Sequence, residues 1–378
     1  MTDFFNLKIL AISHFISRSG TLYLHSLLDD HPEIATIPGT FDITELLKVK
    51  ENQTSEECYE IFKKNNPKFF DTSKFTFADK NNSSLWILGE NKNDKILTNE
   101  FIFKKNFLNH LKDIKINPRN VLISLYFAYA KTHNKNLEKV KIILMHPHEK
   151  KTTLEFYKFF TDALFLIPIR NPIKAYEGII KKVRFVSKQR KQFYYPSGQL
   201  IESALDIDNF YKKKLTMYFI RLEDLGENMD EIMSKISKIL NINFCNSMLK
   251  STFEGKKYWS NSVEKQTNHF DKSRHTNETH LSRKDLIILN LINYELIKCL
   301  NYESIKINTL EKFYTPILLF LPMVDEINFL KKFKLSKFLI YLKFLVFYLP
   351  KRLRIIQIMI FNKFSKRYKY ISERLLAN

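Results

Sequence analysis

Cysteine is scarce in this chain of 378 residues: Cys58, Cys245 and Cys299 are odd in number and far apart. They make no CxxC pair and no zinc-type spacing, so a metal site is not expected and a reducing compartment is. Seven glycines serve the whole chain, with no long Gly/Ser linker and no internal repeat. A Walker loop needs glycines five apart followed by Lys and Ser or Thr, and no such loop opens this sequence. Acid is short as well: 40 Asp and Glu face 61 Lys and Arg, for a formal charge of +21. No helix-turn-helix, RNP or zinc pattern accompanies that charge, which removes nucleic acid from the expected partners. The apolar run from Phe338 to Leu349 is interrupted by Lys343 and ended by Pro350. It falls short of the ~20 residues of a comfortable membrane span. No signal or span is read before the first strand, so the expected setting is cytoplasmic.

What is present is a large apolar fraction, 44%, enough for one substantial core plus an appendage. Strands alternating with helical stretches predict an α/β fold with a parallel sheet flanked by helices. The first such unit is Ile12-Ser13-His14-Phe15-Ile16-Ser17-Arg18-Ser19-Gly20-Thr21, running into a helix with Leu24, Leu27 and Leu28 on one face. A strand, a loop carrying a cation and a glycine, and then a helix N-terminus make a phosphate grip. The backbone N–H groups and the helix end point at one spot, and Arg18 adds a full charge. His14 reads as a packed or supporting histidine rather than a ligand.

The loop resembles the 5′-phosphosulfate loop of PAPS-dependent sulfotransferases, in which Lys or Arg precedes Ser-Gly-Thr. Leu27-Leu28-Asp29-Asp30-His31-Pro32-Glu33-Ile34 resembles the helix end and His-Pro turn of the bacterial and carbohydrate branches. Ala163-Leu164-Phe165-Leu166-Ile167-Pro168-Ile169-Arg170-Asn171-Pro172 is similar to the family's 3′-phosphate motif, which puts Arg170 on the phosphate of the ribose. Tyr218-Phe219-Ile220-Arg221-Leu222-Glu223-Asp224-Leu225 resembles the family's structural acidic turn. Asn228 and Glu231 then read as a capping box. Gly255-Lys256-Lys257-Tyr258-Trp259-Ser260-Asn261-Ser262 is similar to the cofactor loop, and Cys299-Leu300-Asn301-Tyr302-Glu303 to the segment with which many such domains end. The resemblance implies a P-loop-like sheet over residues 1–304. It implies PAPS held by Arg18, Ser19, Gly20, Thr21, Leu22, Arg170, Gly178, Gly255, Lys256 and Lys257. Gly178 and Leu22 are departures, standing where the family usually has hydroxyl residues.

Sulfuryl transfer to a hydroxyl or amine of a glycan, glycolipid or small molecule is the implied reaction, with Arg18 stabilising the departing bridging oxygen. A general base must take the acceptor's proton. The resemblance points to His148, at the end of the apolar strand Val140–Met145, with His146 beside it. Glu45 or Asp42 would serve if the carbohydrate-branch arrangement held, although Thr40 stands where its Glu is usual.

Residues 48–115 are rich in Lys and Asn and poorly periodic, and are expected to form an insertion where the acceptor is chosen. Residues 305–378 are expected to form a helical basic appendage. From Lys331 onward, thirteen Lys or Arg meet one acid, Glu373, among interleaved aromatic and aliphatic residues. Such a segment suits an anionic membrane surface at the inner face, or packs on the core. The overall charge also fits a Lys- and Asn-heavy residue usage without function. Two other functional classes stay open: a P-loop kinase-like phosphotransferase, and a non-catalytic binder of anionic membrane or polymer.

Overall fold

The structure, a computed structural model, describes residues 3–14, 18–74, 88–147, 150–180, 215–259, 279, 281–318, 320–331, 339, 342, 345–346, 349–360 and 370–376. Five short apolar segments become strands: β1 (Lys8–Ile12), β2 (Ile34–Thr36), β3 (Ile142–Met145), β4 (Leu164–Ile169) and β5 (Thr216–Arg221). They pair in parallel in the order β2-β3-β1-β4-β5. Both faces are covered, which is why the strands read as unbroken apolar runs rather than alternating ones.

Alternate residues feed two separate cores. Leu10, Ile12, Leu144 and Leu166 pack with α1 (Thr21–Leu28) and with the helix Met229–Leu240. Ile9, Ala11, Ile143 and Phe165 pack on the opposite face with Val121, Leu125 and Ala128 of the helix Pro118–Thr132. From β1 the chain passes to β2 at one edge of the sheet, whereas from β4 it passes to β5 at the other. The carboxyl ends of β1 and β4 therefore flank the point where the winding reverses, the usual place for a ligand crevice.

Within residues 48–115, helices Ser55–Asn65 and Glu100–Leu111 enter the main core through Tyr59, Phe62, Phe103 and Phe107. Phe62 stacks on Phe103 with ring centroids 5.7 Å apart. A capping box of Thr54 and Glu57 opens the first of these helices. Aromatic packing rather than a clean period holds this segment, so periodicity understated its order.

Two expectations change. Helix Met229–Leu240 forms, but the Asn228 side chain makes no cap bond. The acidic turn before it is itself the helix Leu222–Glu227, and Asn228 (φ −129°, ψ 47°) is the joint between the two. In the appendage, Arg352 of the helix Leu349–Ile360 is fully buried and pairs with the equally buried Glu326 at 2.5 Å. The chain end then pairs with β5: Phe219 N–H donates to Arg374 O (2.9 Å) and Leu376 N–H donates to Phe219 O (2.8 Å). The Arg352–Glu326 pair joins two segments of the appendage to each other, while Val324 N–H, donating to Asp285 Oδ2 at 3.2 Å, and the β5 pairing bring parts of it onto the core. Among the described residues no helix is long and apolar enough to cross a membrane.

Candidate functional site

The loop after β1 is tied at its root. Ser13 N–H donates to Leu166 O at 3.3 Å, and Ser13 Oγ lies 2.7 Å from Thr153 Oγ1, which donates to Pro147 O at 2.7 Å. The ends of β1, β3 and β4 are thereby held together where the loop departs. Arg18 and Gly20 both have left-handed backbone, φ 69° and 86°. For arginine that conformation costs on the order of 1–3 kcal/mol and persists only where the surroundings impose it. Gly20 is the N-cap of α1 and has no side chain to cover the first N–H groups of the helix, so these donors face the loop.

Gly20 also meets the chain at close range. A Cβ there would stand 2.5 Å from Leu222 Cδ1, the first residue after β5. Gly20→Ala is expected to cost about 2–4 kcal/mol, combining left-handed strain with overpacking. A drop in the urea midpoint at unchanged slope checks it; an unchanged midpoint would mean that this approach does not exist.

Arg170 follows β4 and enters the same space from the other side. A Cβ at Gly178, on the helical stretch 172–180, would lie 3.6 Å from Arg18 Cβ and 3.7 Å from Arg170 Nη1. The stem of Arg18 and the guanidinium of Arg170, 152 positions apart in sequence, thus meet across a glycine. The space that a side chain would take is a cradle between them, and a serine Cβ would fit it in ordinary contact.

A network behind Arg170 fixes its direction. Asn171 Oδ1 accepts from Ile173 N–H at 2.9 Å, capping the helix that carries Gly178. Glu223 Oε1 accepts from Asn171 N–H at 3.2 Å, and Glu223 Oε2 accepts from the Tyr302 hydroxyl at 2.6 Å. Arg221 donates to Asp224 Oδ2 at 2.7 Å and to Leu300 O at 3.0 Å. The segments after β4, after β5 and around residue 302 are thereby one assembly, whose product is the placement of Arg170.

At the end of β3 lies a pair that sequence reasoning missed. His25, on α1, is fully buried, and its Nδ1 is 3.2 Å from Nδ1 of the buried His146. His25 Nε2 is 2.8 Å from Thr36 Oγ1, whose hydroxyl donates to Leu144 O at 3.0 Å. Burial pushes the His25 pKa down to about 3, so the ring is neutral and carries one N–H. His25 thus spends one ring nitrogen on Thr36 and the other on His146, and this contact orients the His146 ring. The signal available in the sequence was a histidine among Leu24, Leu27 and Leu28 on the apolar face of α1.

The cofactor-loop segment folds as a hairpin, β6 (Thr252–Phe253) and β7 (Lys256–Lys257), turning through Glu254 and Gly255 with φ of 51° and 65°. Glu254 N–H donates to Asp29 Oδ2 at 2.7 Å, and Ser251 Oγ is 2.6 Å from Ser26 Oγ. Gly255 therefore sits by the carboxyl end of α1, and eight residues of helix, roughly 12 Å, separate that end from Gly20. Lys257 pairs with Glu90 at 2.7 Å and lies over the Trp259 ring, whose Nε1 donates to Gly89 O at 2.6 Å. Lys256 is half-buried opposite Phe253.

The remaining expected residues are placed as follows. Ser19 and Thr21 are buried in the loop and at the start of α1. The Leu22 side chain packs against the cluster of Leu88, Ile96, Phe253 and Tyr258, which accounts for an apolar residue where a hydroxyl was expected. Glu45 pairs with Lys48 on the surface and Asp42 accepts from Thr44 N–H, both local contacts. His148 lies outside the described residues. The structure thus joins Arg18, Gly20, Arg170 and Gly178, and sets the turn at Gly255 beside Asp29. Among the described residues no cluster of His, Cys, Asp or Glu is placed to hold a metal ion.

No protein-family model matches the chain, and no curated protein does. Among solved structures, a sulfotransferase domain of the olefin synthase of Synechococcus PCC 7002 is similar, with TM-score 0.47 and 14% identity, covering 79% of this chain and 97% of the other. A sulfotransferase domain from the curacin biosynthetic pathway has TM-score 0.46 and 15% identity, covering 79% and 99%. The sulfotransferase STF9 from Mycobacterium avium has TM-score 0.40 and 12% identity, covering 79% and 78%. Likeness at that level leaves the weight of a functional reading on the residues of the crevice.

Proposed function

We propose that this chain is a sulfotransferase that uses PAPS to sulfate a hydroxyl or amine of a glycan, glycolipid or small molecule. One observation carries the reading: Arg18 and Arg170 meet across Gly178 at the carboxyl ends of β1 and β4, beside a helix N-terminus with no side-chain cap. Converging cations and N–H donors suit a ligand with more than one anionic group. Arg18 with the first turn of α1 would hold the 5′-phosphosulfate, and Arg170 the 3′-phosphate, in the cradle that Gly178 leaves open. PAPS would supply an activated sulfuryl group, bonded to a good leaving oxygen.

The chain's own part is positioning and charge, as in phosphoryl transfer through a loose, in-line transition state. Arg18 faces the negative charge that grows on the bridging oxygen. His146 Nε2 takes the proton of the acceptor as the acceptor's bond to sulfur forms. In this reading the His25–Thr36–Leu144 chain orients the His146 ring.

Calorimetry with adenosine 3′,5′-bisphosphate tests this, with ATP as competitor. Binding is expected to beat ATP and to fall tenfold or more, about 1.4 kcal/mol, in Arg18→Ala and again in Arg170→Ala. Absent binding, or binding indifferent to both arginines, would overturn the reading. Magnesium-dependent preference for ATP would replace it with a kinase-like one.

A further inference from the structure

Gly178 belongs to the helical stretch 172–180, whose two faces do different things. Successive helical residues are about 100° apart, so Tyr176 and Gly178 point in roughly opposite directions. Gly178 turns toward Arg18 and Arg170, whereas Tyr176 turns into the main core, where it has no solvent exposure. The Tyr176 hydroxyl donates to Asp325 Oδ1. Burial first, and then the neighbouring acid, push the Tyr176 pKa well up, so the hydroxyl keeps its proton and stays a donor.

Asp325 lies in the first turn of the helix Val324–Lys331, beyond the last segment that resembles the family. Three further contacts hold that helix start to the body. Met323 is fully buried in the core that also takes Tyr176. Val324 N–H donates to Asp285 Oδ2 at 3.2 Å, and Lys284 Nζ donates to Pro322 O at 2.5 Å. Lys284 and Asp285 open the helix Arg283–Ile292, whose cap Ser282 accepts from Asp285 N–H at 3.1 Å. Just before that cap, Thr279 donates to Glu177 Oε1 and accepts from Leu281 N–H at 3.2 Å. Glu177 adjoins Tyr176 and pairs with Lys174 at 3.3 Å. The contacts close a ring from Tyr176 to Asp325, through Val324 to Asp285, along the chain to Thr279, and so to Glu177. Closed on adjacent residues of one helical turn, the ring restrains both rotation and translation of the stretch 172–180.

We propose that Tyr176 and Asp325 are positioning residues of the crevice: through their hydrogen bond the appendage sets where Gly178 stands, and with it how tightly the cradle between Arg18 and Arg170 holds an anionic ligand. The identity of that ligand rests on the proposed function, but the coupling of the appendage to the crevice does not.

Calorimetry with adenosine 3′,5′-bisphosphate and hydrogen exchange of the unliganded protein test it together, on the full-length chain. Tyr176→Phe keeps the ring and removes the donor, and Asp325→Ala removes the acceptor. Each is expected to weaken nucleotide binding about fivefold, the scale of one hydrogen bond. The double variant should bind no more weakly than the weaker single one, because the two share one contact. Asp325→Asn, whose amide oxygen can still accept from the tyrosine, should bind nearly as the wild type does. Without nucleotide, amides 175–179 should exchange about tenfold faster in Tyr176→Phe and Asp325→Ala, while those of α1 are unchanged. A purely structural contact would lower the thermal midpoint and leave affinity unchanged, which overturns the inference, as do losses that add in the double variant. A wild type that binds no nucleotide fails the proposed function instead. The exchange rates then decide, and equal rates at 175–179 in all variants would overturn the coupling.

Discussion

His146→Ala is expected to lower turnover by about 10²–10⁴-fold, the usual contribution of a positioned base, while adenosine 3′,5′-bisphosphate binds as before. The size follows from the role: the imidazole acts on the acceptor proton, not on the nucleotide. His25→Ala should also lower turnover, through loss of the Nδ1 contact that orients the His146 ring. His25→Asn, whose amide can still make that contact, should retain more activity than His25→Ala. A merely structural His25 would make those two variants equal. The rising limb of kcat/KM against pH should vanish in His146→Ala. His25 itself titrates only near 3 in the folded protein and so cannot supply that limb. If His146→Ala is active and His148→Ala is not, the base is the histidine that the sequence resemblance favours.

Neutral His25 has a second consequence. Its folded pKa lies below the ordinary value of 6.5 because burial disfavours the charged ring. Below pH 6.5 the unfolded chain gains a proton that the folded one does not, so stability contributed by this group is complete above 6.5 and is lost as pH falls toward 3.

The other large effect is in the appendage. Glu326→Ala should destabilise the protein by about 3–5 kcal/mol, because it strands the Arg352 guanidinium where neither partner has any solvent exposure. Glu326 also accepts from Met323 N–H at 2.6 Å, so its loss uncaps a helix start as well. Replacing both residues, Glu326→Leu with Arg352→Met, should recover most of the loss, since an apolar pair of similar volume needs no desolvated charge. Urea unfolding of the two variants measures both. A single substitution costing under ~1 kcal/mol would show that the two appendage segments are not held together through this pair.

The parallel α/β plan was legible because buried strands are continuous apolar runs: β1, β3, β4 and β5 each could be read from the residues alone. β2 could not, since three residues, Ile34–Thr36, carry no period. The strand-to-helix turn after β1 was legible for a local reason as well. Arg18, Ser19, Gly20 and Thr21 are adjacent in sequence, and a single glycine at a strand-to-helix turn has few other uses. The position of the Gly255 hairpin along α1 was not legible, because local composition does not say which end of a helix a hairpin will meet. Asp29, raised well above the usual carboxylate range chiefly by burial, and its bond to Glu254 N–H settle that choice.

By itself, then, the sequence determined the class of fold, the glycine turn from strand to helix after β1 and the one-sided charge of the appendage, because each depends on residues within a few positions of one another. The tertiary structure alone decided that Arg18 meets Arg170 across Gly178, that His25 turns His146, and that Glu326 receives Arg352. Those contacts follow from strand order and helix packing. Strand order is a long-range property, fixed by how all the apolar faces are buried together, and no local pattern encodes it.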